Sequence, residues 1–72
     1  MRYIAVFPTL TLAQKAARVL KNEKLAADVI KVDSTRTRRG CSWGVAFDES
    51  KLLSVRMAFS NSSVAEREII KE

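Results

Sequence analysis

The spacing of apolar residues along the chain predicts six elements, in the order strand, helix, strand, strand, helix, strand. Residues 2–7 are apolar on both faces, as in a central strand, and Pro8 ends this stretch because it removes a ladder donor. Residues 27–32 and 43–47 predict the second and third strands. The third strand places bulky residues on one face and small residues, which leave room for a close neighbour, on the other: Trp43, Val45 and Phe47 against Gly44 and Ala46.

Two further stretches repeat their apolar residues at helical spacing. We expect the first helix to begin at Thr11, where Thr11 and Gln14 fit a capping box, and to end within Asn22 to Lys24. Its core face is predicted to consist of Leu12, Ala16, Val19 and Leu20. The second helix is expected to start from a cap at Asp48 or Ser50. Its predicted core residues are Leu52, Val55 and Phe59.

The last stretch, residues 64–72, fits two alternatives. Ser63 and Glu66 fit a capping box and favour a helix, whereas the few apolar residues suit a short edge strand, which we favour. With that strand, the order predicts one α+β domain over residues 1–72, in which two helices cover one face of a small sheet. The expected architecture is a two-layer sandwich, the ferredoxin-like split β-α-β arrangement written βαββαβ.

Composition narrows the classes of function. The chain has 72 residues, one cysteine and no histidine, so it has neither an internal disulfide nor the ligand spacing of a zinc site, and we expect no metal and no cofactor. So small a domain gains from a homodimer. A net charge of +5 suggests an anionic partner. No run is long enough for a signal peptide or a membrane span, which predicts no membrane association and a cytoplasmic protein in which a free thiol persists.

The stretch 35–44 concentrates the unusual chemistry of the chain, because it holds the only cysteine, the only tryptophan and both glycines. In a ferredoxin-like fold this loop lies at the same end of the sheet as the turn 7–10 into the first helix, where orphan amides favour an anion. We therefore predict that Cys41 is a nucleophile whose thiol pKa lies below the ordinary value of about 8.5. The candidate binding residues around it are Arg36, Arg38, Arg39, Gly40, Ser42, Trp43, Gly44, Pro8 and Thr9.

Each of these residues also has an ordinary structural interpretation. Cys41 fits an inert buried cysteine, and the arginines fit a solvated loop. Trp43 suits the core better than a ligand wall, and Pro8 suits a strand terminator.

The residues Phe7-Pro8-Thr9, the alanine-rich first helix and the stretch 40–47 together resemble the selenium/sulfur carrier-like domain family. The resemblance covers nearly the whole chain, and its specific content is the cysteine motif with the Phe-Pro pair. Ser42 and Trp43 stand between Cys41 and Gly44, where many members have glycine directly after cysteine. The resemblance implies that Cys41 carries sulfur or selenium, as a persulfide or selenosulfide, between donor and acceptor proteins.

Two other functions remain open. A nucleic-acid-binding module would use Tyr3 and Phe47 on the open face of the sheet, with Arg36, Arg38 and Arg39 on phosphates. A protein-docking or regulatory module would use the open sheet face to dimerise or to bind an enzyme. A self-contained enzyme is the least expected, because without histidine no Cys-His pair forms.

Overall fold

A computed structural model describes residues 1–33, 42–66 and 68–71 of the chain. These residues form an α+β domain, which confirms the predicted fold class, and the last segment contains the strand rather than the helix. The elements are β1 (Arg2–Phe7), α1 (Leu10–Asn22), β2 (Asp28–Val32), β3 (Ser42–Asp48), a 3₁₀ turn (Glu49–Lys51), α2 (Leu52–Asn61) and β4 (Glu68–Lys71).

The four strands form one antiparallel sheet in the order β2-β3-β1-β4. β1 and β2 each pair antiparallel with β3, so they run in the same direction with β3 between them. β3 and β4 are related in the same way, since each pairs antiparallel with β1. The chain is therefore made of two interlocked split β-α-β units, as the element order predicts.

The main core lies between the sheet and the two helices. Alternate residues of β1 and β3 point into it, among them Phe7, Val45 and Phe47, and all three are at most 1% exposed. Phe59 of α2 meets Phe7 edge to face, with ring centroids 5.9 Å apart and an interplanar angle of 80°. Burial of each such ring contributes about 1.5–3 kcal/mol. The helices add Ala13, Ala16, Leu20, Val55 and Ala58.

A second buried cluster occupies the opposite face of the sheet. Its members Ile4, Val6, Val32 and Ala46 are at most 1% exposed. Gly44 lies among them, and a Cβ built on it would stand 2.5 Å from Ile4 Cγ2 and 2.9 Å from Val32 Cγ2. The predicted close neighbours of Gly44 are thus the side chains of β1 and β2, and glycine is required because there is no space for a methyl group.

The start of α1 differs from the prediction. The helix begins at Leu10, and its cap is Thr9, whose Oγ1 accepts a hydrogen bond from the amide of Leu12 at 3.2 Å. The capping box predicted at Thr11 is therefore wrong. Leu12 is 41% exposed instead of belonging to the core face, where Ala13, Ala16 and Leu20 are fully buried.

Both helices end in the same hydrogen-bond pattern. After α1, the amides of Lys24 and Leu25 donate to the carbonyls of Lys21 and Leu20, at 2.9 and 2.8 Å, and Lys24 has φ 61°. After α2, Ser63 has φ 56° in the equivalent position, and its amide and that of Val64 make the same two bonds, at 3.4 and 2.9 Å. These are Schellman motifs in which a residue other than glycine adopts the left-handed conformation. Leu25 folds back onto the core as expected.

The chain reaches α2 through the 3₁₀ turn. Asp48 accepts hydrogen bonds from the amide of Ser50, at 3.0 Å, and from its hydroxyl. These two bonds, the hydroxyl first, lower the pKa of the Asp48 carboxyl below its ordinary value because they stabilise the carboxylate. Asp48 therefore caps the 3₁₀ turn, whereas α2 itself begins after Lys51 with no side-chain cap, so the cap predicted for α2 at Asp48 or Ser50 is wrong.

Candidate functional site

The fold brings one end of each of the four strands and the start of α1 to the same end of the sheet. Phe7, the last residue of β1, lies opposite Trp43, and Val32, the last residue of β2, lies opposite Ser42, the first residue of β3. α1 begins three residues after Phe7. We call this end of the sheet the α1-entry end and define it by Phe7, Val32 and Ser42. As the sequence predicts, the end of β2 and the start of β3 lie at the same end of the sheet as the start of α1.

The start of α1 contributes positive potential at the α1-entry end, where the acidic residues Asp33 and Glu68 also lie. Thr9 is extended, with φ −135° and ψ 157°, and its carbonyl accepts the first helical hydrogen bond from Ala13 at 3.2 Å. The first turn of α1 contains no acidic residue. Because the amides of a first turn carry partial positive charge, the region in front of this helix favours an anion.

Pro8 and Thr9 lie on the surface at this end, and both are exposed. Pro8 ends β1, which confirms its role as strand terminator. Thr9 has a structural task as the cap of α1, so a role in binding would add to that task. The prediction placed the cap at Thr11 instead of Thr9 because both threonines precede the predicted core residues of α1, and either can cap a helix.

Three residues of the stretch 35–44 are described, Ser42, Trp43 and Gly44, and all three are largely inside the protein. Ser42 is 3% exposed, and Gly44 is buried between the side chains of Ile4 and Val32. Trp43 is half-buried and packs against the main core, which confirms the core interpretation of this residue. Gly44 permits the close approach of the Ile4 and Val32 side chains, and a binding role for this residue stays a prediction.

Cys41, Arg36, Arg38, Arg39 and Gly40 lie outside the described residues. Their predicted roles stay predictions. What the structure supplies is the position of β3, whose first residue, Ser42, is bonded to Cys41.

The aromatic nucleic-acid interface is not formed by the residues predicted for it. Tyr3 and Phe47 lie on the helix side of the sheet, where Phe47 is buried and the two rings are 6.3 Å apart. Both rings therefore face the core rather than an open face of the sheet. The other face carries aliphatic and small residues that are buried at its centre, with Ile30 and Ile70 partly buried beside them, and its use in dimerisation or docking stays a prediction.

The described residues contain no group of three or more histidine, cysteine, aspartate or glutamate side chains that could hold a metal ion. Among the same residues, no helix combines the length and the apolar character needed to cross a membrane.

Comparisons with known proteins gave no match: no family model, no curated protein and no solved structure is similar to this chain. The resemblance to the selenium/sulfur carrier-like domains therefore stays an expectation.

Proposed function

We propose that this chain is a carrier protein in which Cys41 holds a sulfur or selenium atom and passes it between partner proteins. One observation carries the proposal. β3 begins directly after Cys41, at the α1-entry end, where the positive start of α1 has no acidic residue in its first turn. Ser42, the residue bonded to Cys41, lies at this end of the sheet.

Positive potential at this end promotes the thiolate, which is the reactive form of cysteine. Two sources contribute: the start of α1, and the net charge of +5. The three arginines within five residues of Cys41 would strengthen the effect.

The transfer needs no external oxidant. The Cys41 thiolate attacks the outer sulfur of a donor persulfide, R–S–SH. A new S–S bond forms, the donor S–S bond breaks, and the donor leaves as a thiolate. Cys41 then holds a persulfide, which an acceptor thiolate removes by the same step in reverse. A donor R–S–SeH gives the selenosulfide in the same way.

The first test is the rate of Cys41 alkylation against pH, in the folded protein and in denaturant. We expect the folded thiol to titrate about one pH unit or more below the denatured one, since a positive field lowers the pKa of a thiol. A folded thiol that is unreactive, or that titrates at or above the denatured value, would show that Cys41 is a packing residue.

The second test is loading. The protein is incubated with glutathione persulfide, and intact mass is measured before and after an acceptor thiol is added. We expect a gain of one sulfur atom that the acceptor removes, and no gain in the Cys41→Ser variant. If the thiol pKa is lowered in the folded protein but the protein gains no sulfur, the carrier function is excluded, and Cys41 is a reactive cysteine with another role.

A further inference from the structure

The outward surface of the two helices is basic. α1 exposes Lys15, Arg18 and Lys21, and α2 exposes Arg56. Neither helix contains aspartate or glutamate. Lys15, Arg18 and Lys21 recur every three residues, so they lie within one side of α1, away from Ala13, Ala16 and Leu20 in the core.

The same surface carries an apolar ridge. Leu53 is 76% exposed and Met57 is 65% exposed, and the two lie one turn apart on α2. The opposite side of α2 is packed, with Val55 and Phe59 buried. Helical spacing therefore accounts for Val55 and Phe59 as core residues but leaves Leu53 and Met57 without a packing role in the described part of the domain.

Two grooves lie beside the C-terminal half of α1. A groove of about 460 Å³ has Arg18 and Lys21 at its rim and Ala17 and Leu25 in its wall. A groove of about 250 Å³ on the α2 side is lined by Glu23, Leu25, Ser54, Met57, Ala58 and Asn61. Leu25 lines both grooves, so apolar side chains of a partner could enter on either side of α1.

We propose that the outward face of α1 and α2, defined by Lys15, Arg18, Lys21, Leu53 and Met57, binds an acidic amphipathic helix of a partner protein. The apolar side chains of that helix would contact Leu53 and Met57, and its carboxylates would lie against the basic side of α1. Charge complementarity selects this partner, since the face has positive side chains and exposed aliphatic ones together.

Other occupants fit the face less well. A second copy would bring the same positive charges against it. Single-stranded nucleic acid is bound through aromatic stacking, whereas Leu53 and Met57 offer no π-face. A lipid surface requires a broad apolar face, and the exposed side of α2 also carries Ser54, Ser60 and Asn61. Each groove has one acidic residue in its lining. Glu23 lines the groove on the α2 side, and Asp28, which lines the other groove, forms an ion pair with Arg2 at 3.1 Å.

The test uses a labelled synthetic helical peptide in which glutamates surround leucines at i and i+4. We expect fluorescence anisotropy to show binding that rising salt weakens, and backbone amide shifts in the ¹⁵N spectrum centred on Arg18 and Met57. A peptide with serine for leucine, and one with lysine for glutamate, should each bind at least about tenfold more weakly.

Matched variants locate the surface. Lys21→Glu should weaken peptide binding about tenfold, whereas Lys71→Glu, which changes the net charge equally at the exposed last residue of β4, should change it much less. The Leu53→Ser/Met57→Ser variant removes exposed side chains, so it should fold normally and lose binding. Cys41→Ser should bind as the wild type does, which separates this proposal from the carrier function.

Three results would overturn the proposal. The first is an absence of peptide binding at millimolar concentration. The second is an equal effect of Lys21→Glu and Lys71→Glu. The third is amide shifts on α1 and α2 caused by phosphatidylglycerol vesicles or single-stranded RNA but not by the acidic peptide.

Discussion

Gly44 lies where β1, β2 and β3 pack so closely that a Cβ atom would meet other side chains. The alternation in β3 places Gly44 and Ala46 on the face opposite Trp43, and the structure confirms this. The sequence cannot say whether the open space beside a glycine holds a ligand or another side chain, because that depends on strands far away in the chain. Here Ile4 of β1 and Val32 of β2 fill it.

The variant Gly44→Ala is expected to destabilise the domain by about 1–3 kcal/mol, since the added methyl group would stand 2.5 Å from Ile4 Cγ2 and neither residue has free space. Urea denaturation measures the loss. In the Ile4→Ala background the same change should cost at least about 0.5 kcal/mol less, because the clashing methyl group is gone. Strict additivity of the two changes would mean that Ile4 is not the obstacle.

At the scale of the element, the ends of the helices were harder to predict than their existence. The strands and both helices follow from apolar spacing, whereas the start of α1 depends on whether Thr9 or Thr11 lies in extended backbone at the cap. Leu12 has helical spacing to Ala16 and Val19, which predicts it in the core, but the buried face consists of Ala13, Ala16 and Leu20.

Replacing each threonine by alanine tests the observed cap. Thr9→Ala should cost about 1 kcal/mol, because the amide of Leu12 loses its side-chain acceptor. Thr11→Ala serves as the matched control and should change stability by less than about 0.5 kcal/mol, since Thr11 is an exposed helical residue. Equal losses in thermal denaturation would contradict the cap at Thr9.

The Schellman motifs give an opposite prediction, of stabilisation. Lys24 adopts φ 61°, a conformation that glycine tolerates without a Cβ penalty, so Lys24→Gly should stabilise the domain by about 0.5–1 kcal/mol. For a domain of this size that corresponds to about 2–8 °C in Tm. The same substitution inside α1, Lys21→Gly, should instead destabilise by about 1 kcal/mol. A lower Tm for Lys24→Gly would show that the end of α1 is not strained.

At the scale of the whole molecule, the split β-α-β order was predictable because two rules act together. Crossover helices must cover one face of the sheet, and β1 and β2 must then run in the same direction with β3 between them. That topology also determines which loops share an end, so the α1-entry end was predictable without any side-chain detail. The exposure of Leu53 and Met57 on the basic outer face was not, because helical spacing does not show whether another element covers the side of α2 away from its core residues.

The carrier proposal predicts that the pKa of the Cys41 thiol depends on where along α1 a negative charge is added. Thr11→Glu and Asn22→Asp each reduce the net charge from +5 to +4, that is +5 − 1, but they act at opposite ends of α1. The 13 residues of α1 span about 20 Å, whereas the screening length at physiological salt is about 8 Å. We therefore expect Thr11→Glu to raise the pKa of the Cys41 thiol by about 0.2–0.7, and Asn22→Asp to leave it unchanged.

The alkylation rate of Cys41 against pH measures both variants, and each result has a distinct meaning. A rise in the Thr11→Glu variant alone supports a thiolate stabilised by the start of α1. Equal rises in both variants would mean that net charge, rather than the direction of α1, sets the reactivity of the thiol. No change in either would separate Cys41 from the helix, and the observation that carries the proposed function would then lose its force.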